Sequence, residues 1–237
     1  MKKAVILAGG KGRRLEPYTT ILPKPLMPVG EMPILEIVIR RLVHFGFSDI
    51  TLAVGHLSEL IQAYFGDGKK LDARISYSHE ETPLGTAGPI SLLDGITDTF
   101  LVINGDILTD INLSEMLETH RNKSAIATMA VYEKNVDIDL GVLELNSDEW
   151  VTDYIEKPKY KYTVSTGIYL FDPSVLKYLE KGKKMDLPDL ILKMVKKGER
   201  IAAFPLRGYW LDIGRHDDYS KALQEFQANK EKFLSGI

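Results

Sequence analysis

The sequence predicts an α/β fold in which helices flank a mostly parallel sheet, with a smaller β-rich region in the second half. The run "KAVILA", Lys3–Ala8, is apolar throughout and stops at glycine, which is typical of a strand buried on both faces of a parallel sheet. Strand and helix patterns alternate up to residue 122, and strand patterns then follow one another closely. These observations predict helices packed on a central sheet.

In the first half, "ILEIVIRRLVHFGF" has apolar residues at helical spacing, ends at Gly46 and leads into the strand "DITLAVG". This is one β-α-β unit, and its alternation continues to residue 122. The remaining elements are predicted as helix "LSELIQAYFGDG", strand "ARISYSHE", helix "TAGPISLLDGI", strand "TFLVINGD" and helix "LSEMLETHRN".

The second half begins with strand patterns and returns to helices. We predict the β-rich region from "AIATMAVYE", "GVLELN", "WVTDYIE" and "VSTGIYLFD". Helices are predicted at "PSVLKYLEKG", "LPDLILKMVKKG" and "HDDYSKALQEFQANKEKF", with a strand at "RIAAFPL". Since no linker or internal repeat interrupts the chain, a single domain over residues 1–237 is expected.

Charge and composition exclude several classes of partner. Lysine and arginine total 30 against 33 acidic residues, a net charge of -3, so no overall positive field favours nucleic acid or a membrane surface. The chain has no cysteine, which excludes disulfides and thiolate metal sites. Apolar runs fall short of the roughly 20 residues that cross a bilayer. We therefore expect a cytoplasmic protein with small-molecule partners.

The stretch "LAGGKGRRL", Leu7–Leu15, follows the first strand but matches neither of two familiar phosphate-binding motifs. The P-loop signature is missing, and Leu15 stands where a dinucleotide fingerprint has its third glycine. Both motifs also need a helix directly after the glycines, where this chain is rich in proline. We expect that segment to run extended over the sheet edge; its prolines are Pro17, Pro23, Pro25, Pro28 and Pro33.

The residue types in this stretch nevertheless suit a polyphosphate. Glycines let backbone N–H groups approach a phosphate closely, and Arg14 offers a forked donor. Lys24 is held as a point charge between Pro23 and Pro25, whose backbone is stiff. Together these residues predict a clamp for a polyphosphate anion.

With these residues, the chain resembles the sugar-1-phosphate nucleotidylyltransferases, also called nucleotide-sugar pyrophosphorylases. The resemblance is carried by "LAGGKGRRLEPYTTILPKPLMPVGEMPIL" and continues, in family order, through "VGHLSELIQAYFGDG", "ETPLGTAGPI", "VINGDIL", "IEKP", "STGIYLFD" and "WLDIG". It implies a Rossmann-like fold of the nucleotide-diphospho-sugar transferase type. Residues 1–122 would mainly bind nucleotide, and residues 123–237 would mainly bind sugar and end in the C-terminal helix. One departure is Arg13, where the family usually has threonine.

The resemblance also implies roles for individual residues. Asp106 in "VINGD" and Asp212 in "WLDIG" would hold Mg²⁺, a cation that takes oxygen ligands and usually only one or two protein carboxylates. Glu156 would accept hydrogen bonds from sugar hydroxyls while Lys157 reaches the sugar phosphate. The implied catalytic residues are Arg14, Lys24, Asp106, Lys157 and Asp212.

Two binding sets complete the expectation. In "GTAG", Thr86 and backbone amides would read the edge of the nucleobase, and the "STG" turn would offer backbone groups to the sugar. The expected nucleotide-binding residues are Leu7, Ala8, Gly9, Gly10, Lys11, Gly12, Arg13, Gly85, Thr86 and Asp106. The expected sugar-binding residues are Asn104, Gly141, Glu156, Lys157, Thr166 and Gly167.

The implied reaction joins a nucleoside triphosphate to a sugar 1-phosphate, releases pyrophosphate and serves polysaccharide biosynthesis. The chain has the size of a minimal catalytic core, similar to the short mannose- or heptose-1-phosphate guanylyltransferases, and "PLGTAGP" favours GTP. Uridylyl, cytidylyl or thymidylyl transfer to another sugar phosphate or phosphorylated acceptor stays open. A non-catalytic regulatory subunit is a further alternative, and the family suggests a homodimer or tetramer.

Overall fold

The computed structural model describes residues 1–80 and 82–234. Its strands are β1 Lys3–Ala8, β2 Pro28–Val29, β3 Met32–Pro33, β4 Asp49–Val54, β5 Arg74–His79, β6 Phe100–Asn104, β7 Ile107–Thr109, β8 Ala127–Asp137, β9 Val142–Leu145, β10 Val151–Ile155, β11 Lys159–Phe171, β12 Ile201–Pro205 and β13 Trp210–Asp212. Its α-helices are α1 Ile34–His44, α2 Ser58–Phe65, α3 Leu113–Asn122, α4 Leu187–Lys196, α5 His216–Ala228 and α6 Lys230–Leu234.

A seven-stranded sheet in the order β12-β8-β11-β6-β1-β4-β5 forms the centre of the fold. Its register pairs Ala4 of β1 with Leu101 of β6 on one side and Ile50 of β4 on the other, both parallel. Strand β11 runs antiparallel to β6 and to β8, while the other six strands share one direction. The predicted mixed, mostly parallel sheet is confirmed.

Helices cover both faces of the sheet, and β1 shows why its sequence is apolar throughout. Ile6 packs in the core formed with α1, α2 and α3, whereas Val5 faces the core that contains α4. Both side chains are almost completely buried. A central strand with helices on both faces has no solvent-facing side, so polar alternation is absent from "KAVILA".

Strand pairing differs from the expected smaller β-rich region. Of the four strands predicted for that region, the 11-residue β8 and the 13-residue β11 belong to the central sheet, whereas β9 and β10 form a separate antiparallel hairpin. Strand β11 reaches beyond β6, where its first residues pair with β8 alone. A strand pattern predicts that a segment is extended but does not specify its partner.

Four segments also depart from the predicted helix and loop types, and one of them, "PSVLKYLEKG", contains only a 3-10 helix at Pro173–Tyr178. "TAGPISLLDGI" contains only a 3-10 helix at Gly88–Leu92, since its glycine and proline disfavour a longer helix. The proline-rich segment passes through two short 3-10 turns, Tyr18–Thr20 and Lys24–Leu26, before β2 and β3 instead of running extended throughout, because the φ of proline also suits such turns. The C-terminal helix is divided into α5 and α6 at Asn229.

A third core holds that proline-rich segment beneath the C-terminal helices. Leu15, Met27 and Val29 are buried there against Phe226 of α5 and Phe233 of α6. The loop after β1 is therefore anchored at its far end by Leu15, which fixes where the intervening glycines lie. In the part of the chain that the structure describes, no helix has the length and apolar character that a membrane span requires.

Candidate active site

A cleft of about 330 Å³ opens beside the carboxyl ends of β1 and β6. After β1 the chain builds β4 and β5 on one side, and it then returns to β6 on the other. Crevices at such a reversal of strand order are where open α/β sheets bind ligands. The residues around the cleft include Leu7, Ala8, Gly9, Gly10, Lys24, Glu80, Gly85, Thr86, Asn104 and Asp106.

The glycine loop has two kinds of glycine. Gly12 has φ +64°, and a Cβ there would stand 2.8 Å from the Thr19 side chain, so the fold itself requires glycine. The Gly12 carbonyl accepts hydrogen bonds from Thr19 Oγ1 at 2.9 Å and from the Leu15 N–H at 2.8 Å. At Gly10, by contrast, a Cβ would have no described atom within 4 Å. The loop is held at Gly12 and leaves open space at Gly10, beside the cleft.

Lys24 and two carboxylates meet next to this loop. The Lys24 ammonium donates to Asp106 Oδ2 and lies 3.8 Å from Asp212 Oδ1. Asp106 follows β6 at its carboxyl end, and the antiparallel pairing of β7 with β13 brings Asp212 alongside. The backbone N–H of Ile213 donates to the Asp106 carbonyl at 3.1 Å, which closes this junction. Residues more than a hundred positions apart thus form one charged cluster.

The two carboxylates fit a divalent cation. The side chain of Asp106 is 18% exposed, and its Oδ1 has no hydrogen-bond partner among the residues that the structure describes. Burial, then the Asp106 carboxylate, raises the pKa of Asp212, whereas Lys24 and Arg14 act to lower it. An unsatisfied buried carboxylate oxygen beside a second carboxylate is the donor set that Mg²⁺ prefers.

The arginines of the loop lie outside the cleft lining. Arg14 is exposed, and its guanidinium approaches Gly214, which also adjoins the Asp212 carboxylate. A Cβ at Gly214 would stand 3.5 Å from both Arg14 Nη2 and Asp212 Oδ2. Lys11 and Arg13 are exposed as well and do not border the cleft. The structure thus brings Arg14 to the carboxylate cluster but gives Arg13 no contact there.

Gly85 and Thr86 both border the cleft, but the Thr86 hydroxyl already has protein partners. It donates to Asp186 Oδ1 at 3.3 Å and accepts from the Leu187 N–H at 2.7 Å. The hydroxyl hydrogen is therefore engaged by the protein itself. Thr86 therefore affects the cleft mainly by fixing the position of the loop that borders it.

Sequence reasoning missed Glu80, which borders the cleft directly after β5. Its Oε2 accepts from the Leu84 N–H at 2.7 Å, and its Oε1 would stand 3.1 Å from a Cβ at Gly9. Burial raises the pKa of Glu80, and the Leu84 N–H partly offsets this effect. A signal was present, because β5 is parallel to β1 and β4 and its carboxyl end lies at the same edge.

The "STG" stretch lies within β11, at the register shift between Ser165 and Tyr169, and adjoins the cleft-lining Asn104. Gly167 has φ +76°, and a Cβ there would stand 2.5 Å from Asn104 Nδ2. Thr166 is buried, and its hydroxyl donates to the Ala130 carbonyl at 2.8 Å. Its own carbonyl accepts from Trp210 Nε1 at 2.9 Å. The polar groups of Thr166 are thus engaged within the protein, and of Asn104, Thr166 and Gly167 it is Asn104 that borders the cleft.

The other predicted sugar-binding residues lie on or beside the β9–β10 hairpin. Glu156 and Lys157 are exposed, and neither they nor Gly141 border the cleft. The Tyr154 hydroxyl donates to Glu156 Oε2 at 2.8 Å, and its ring lies where a Cβ of Gly141 would stand. Gly141, Tyr154 and Glu156 thus form one local unit, separate from the Lys24–Asp106–Asp212 cluster.

Fold and site together define an α/β protein with a lysine, two aspartates and a glycine loop gathered where the strand order of its sheet reverses. The chain matches the Nucleotidyl transferase family over residues 3–229, and it belongs to that family. This confirms the resemblance that the motifs predicted, including a Rossmann-like fold of the nucleotide-diphospho-sugar transferase type.

The names of two curated relatives specify different nucleotides. The UTP–glucose-1-phosphate uridylyltransferase of Synechocystis sp. is 36% identical, with 94% of this chain and 62% of that protein aligned. The mannose-1-phosphate guanylyltransferase 1 of Arabidopsis thaliana is 34% identical over 94% of this chain and 64% of its own length. The chain therefore spans somewhat less than two thirds of the length of these relatives.

Solved structures show the same fold. A Bacillus anthracis protein, provisionally assigned as a glucose-1-phosphate thymidylyltransferase, superposes with a TM-score of 0.77 at 25% identity, covering 94% of both chains. HddC from Yersinia pseudotuberculosis superposes with a TM-score of 0.72 at 25% identity, covering 95% of this chain and all of that one. The chain therefore shares its fold with both of these proteins.

Proposed function

We propose that this chain transfers a guanylyl group from GTP to a sugar 1-phosphate, such as mannose or heptose 1-phosphate, and releases pyrophosphate. The observation that carries the proposal is the cluster of Lys24, Asp106 and Asp212 beside an open glycine loop at one cleft. An ammonium, accessible backbone N–H groups and a cation held by the two carboxylates would together offset the charge of a triphosphate. Cytoplasmic location and a role in polysaccharide biosynthesis follow from this activity as part of the proposal.

The chemistry consists of one displacement at phosphorus. An oxygen of the sugar phosphate attacks the α-phosphorus of the triphosphate, and the bond from that phosphorus to the leaving pyrophosphate breaks. A phosphate monoester has a second pKa of about 6, so its oxygen is largely ionised at neutral pH and needs no general base. The residues of this chain therefore act by neutralising charge and aligning two anions, which is the role assigned to Lys24 and Arg14.

Asp106 and Asp212 would hold Mg²⁺ in this proposal, since Asp106 Oδ1 is buried without a described partner and Asp212 lies beside it. When bound, the ion would neutralise charge on the phosphate oxygens. Residues 1–122 contribute the loop, Lys24 and Asp106, and residues 123–237 contribute Asp212 and Glu156. The first half accordingly has mainly nucleotide-binding residues and the second mainly sugar-binding ones, with Lys157 assigned to the sugar phosphate.

Glu80 supports GTP over UTP and dTTP. An ionised carboxylate only accepts hydrogen bonds, and guanine presents two adjacent donors, at N1 and N2. Uracil and thymine present one N–H between two carbonyl oxygens, which a carboxylate would repel. Since Glu80 Oε2 is engaged by the Leu84 N–H and Oε1 lies toward Gly9, an acceptor borders the cleft at this point. Uridylyl transfer to glucose 1-phosphate is the second candidate, favoured by the Synechocystis relative.

The deciding experiment supplies the purified protein with Mg²⁺, each nucleoside triphosphate in turn and a panel of sugar 1-phosphates, and measures pyrophosphate release. We expect release with GTP and one sugar phosphate. Release with UTP, CTP or dTTP alone would replace guanylyl transfer by the corresponding alternative. If no pair of substrates releases pyrophosphate while calorimetry still detects triphosphate binding, a regulatory subunit or another phosphorylated acceptor would be favoured.

Glu80→Gln tests how the base is selected. Glutamine adds an amide donor at the same place, so the preference for GTP over UTP should fall while the reaction with the sugar phosphate persists. The exposed Glu59→Gln on α2 is the matched control, for which we expect the wild-type preference.

Light scattering on the same samples would test the predicted homodimer or tetramer.

A further inference from the structure

The segment Gly85–Gly88, here called the GTAG loop, borders the cleft on one side and contacts the start of α4 on the other. The N–H groups of Ala87 and Gly88 donate to the Met185 carbonyl at 2.9 Å and 3.1 Å. The Met185 N–H in turn donates to the Leu84 carbonyl at 2.9 Å. Backbone hydrogen bonds thus join the loop to a segment a hundred residues further along the chain.

Asp186 adds a side-chain connection of an unusual kind. It occupies the N-cap position of α4, where an aspartate ordinarily accepts hydrogen bonds from its own helix, yet its side chain makes no such bond. Its Oδ1 instead accepts from the Thr86 N–H at 3.0 Å and from the Thr86 hydroxyl at 3.3 Å. The Leu187 N–H, the first of the helix, donates to Thr86 Oγ1 at 2.7 Å. The side chain of Asp186 therefore accepts from the backbone of the loop, and the side chain of Thr86 accepts from the first N–H of the helix.

Gly85 shows how close this contact is. A Cβ at this position would stand 2.6 Å from Asp186 Oδ1 and 2.6 Å from the Met185 carbonyl oxygen, and the backbone has φ +75°. Any other residue would push the loop away from α4 or force an unfavourable backbone conformation. The requirement for glycine arises from Asp186 and Met185, before any nucleotide is considered.

We infer that Asp186 is a positioning residue for the nucleotide, acting through Thr86 to hold the GTAG loop in the conformation that borders the cleft. The inference rests on the proposed function, because the ligand concerned is the triphosphate. Asp186 itself does not border the cleft, whereas Gly85 and Thr86 do. The sugar-side residues Asn104 and Gly167 contact neither Asp186 nor the loop through any described hydrogen bond, so an effect of Asp186 should be confined to the nucleotide.

The test measures GTP affinity by calorimetry and the KM of each substrate for Asp186→Ala. Losing hydrogen bonds to an ionised acceptor should weaken GTP binding by about tenfold or more, with the KM for the sugar phosphate unchanged. Asp189→Ala is the matched control, since it removes an exposed aspartate from the first turn of the same helix. We expect it to bind GTP as the wild type does.

Two further variants separate positioning from general stability. Asp186→Asn keeps a neutral acceptor of the same shape and should weaken GTP binding less than Asp186→Ala. Thr86→Val removes the hydroxyl, and combining it with Asp186→Ala should cost less than the sum of the two single changes, because both remove one shared contact. Equal increases in both KM values would indicate a general structural role and overturn the inference.

Nucleotide binding by the wild-type protein separates a failure of the proposed function from a failure of the inference about Asp186. If it binds no nucleoside triphosphate, the proposed function fails. If it binds GTP and Asp186→Ala binds GTP equally well, only the positioning role of Asp186 is overturned.

Discussion

The cleft with Lys24 and Asp106 lies at the carboxyl ends of central strands of the sheet, whereas Glu156, the carboxylate that we assign to the sugar, directly follows a two-stranded hairpin. Lys24 and Asp106 have side chains only 12% and 18% exposed, and they contact each other directly. Glu156 is exposed, and Tyr154, its partner, is 60% exposed. Groups on packed strands keep their positions before a ligand arrives, while groups on an isolated hairpin have few contacts to hold them.

Under the proposed function, this contrast would place the chemistry beside packed strands and the sugar recognition beside an exposed hairpin. The reacting phosphates need charges fixed in advance, because electrostatic groups that must first reorganise contribute less to the transition state. Sugar recognition tolerates a looser support, since its hydrogen bonds can form as the sugar binds. Substitutions on the sheet should therefore lower the rate, and substitutions at the hairpin should mainly raise the KM for the sugar phosphate.

The largest effect is expected from Asp106→Asn. The amide keeps one acceptor but loses the charge and the unsatisfied Oδ1 that fit a cation, so metal-dependent pyrophosphate release should be abolished. Magnesium titrations of activity, with circular dichroism to check the fold, measure this. The surface variant Asp94→Asn should behave as the wild type does. An unaltered magnesium response in Asp106→Asn would remove this residue from the metal assignment.

The next largest effects are expected from Lys24→Ala and Arg14→Ala. Each should lower kcat by about a hundredfold or more, because each removes one preorganised electrostatic group. Lys24 contacts both carboxylates, and Arg14 lies beside Asp212 across Gly214. Steady-state kinetics with saturating substrates would show the effect, with the exposed Lys70→Ala as a control. Near-normal turnover in either variant would exclude that residue from the mechanism.

These residues were visible in the sequence because each follows a recognisable strand or lies in a proline-bounded segment. "KAVILA" and "TFLVING" predicted the neighbouring parallel strands that carry the glycine loop and Asp106. Glu80 was missed because a lone acidic residue after a strand is common, and only the sheet order places it at the cleft. The contact of Asp186 with Thr86 spans a hundred residues and depends on how α4 packs, which no local pattern encodes.

A smaller effect is expected at the hairpin. Glu156→Ala should raise the KM for the sugar phosphate by about tenfold, the scale of a lost charge-assisted hydrogen bond, and leave the KM for the triphosphate unchanged. Tyr154→Phe should shift the same KM in the same direction but less, because the phenol only orients Glu156. Initial rates with each substrate varied in turn measure the split.

Glu144→Ala, an exposed glutamate of β9 in the same hairpin, is the control and should match the wild type. Parallel increases in both KM values for Glu156→Ala would contradict a sugar-specific role. Such a result would also weaken the contrast between the sheet and the hairpin.

The smallest effect concerns stability. Burial and the Asp106 carboxylate raise the pKa of Asp212, so its ionised form is disfavoured in the folded protein, and Asp212→Asn should raise Tm while removing activity. The Asp212 side chain is 44% exposed, so solvent screening should keep the gain below about 1 kcal/mol, or roughly 4 °C.

The sign of the pH dependence distinguishes this effect from a simple gain in packing. Because the folded pKa of Asp212 lies above its unfolded value, the ionised carboxylate destabilises the wild type at neutral pH and ceases to do so once it is protonated. The Tm difference between Asp212→Asn and the wild type should therefore shrink as pH falls through that raised pKa. Asp106→Asn should instead lower Tm at neutral pH, since it weakens the contact with Lys24. A Tm difference for Asp212→Asn that stays constant with pH would show that charge repulsion is not its cause.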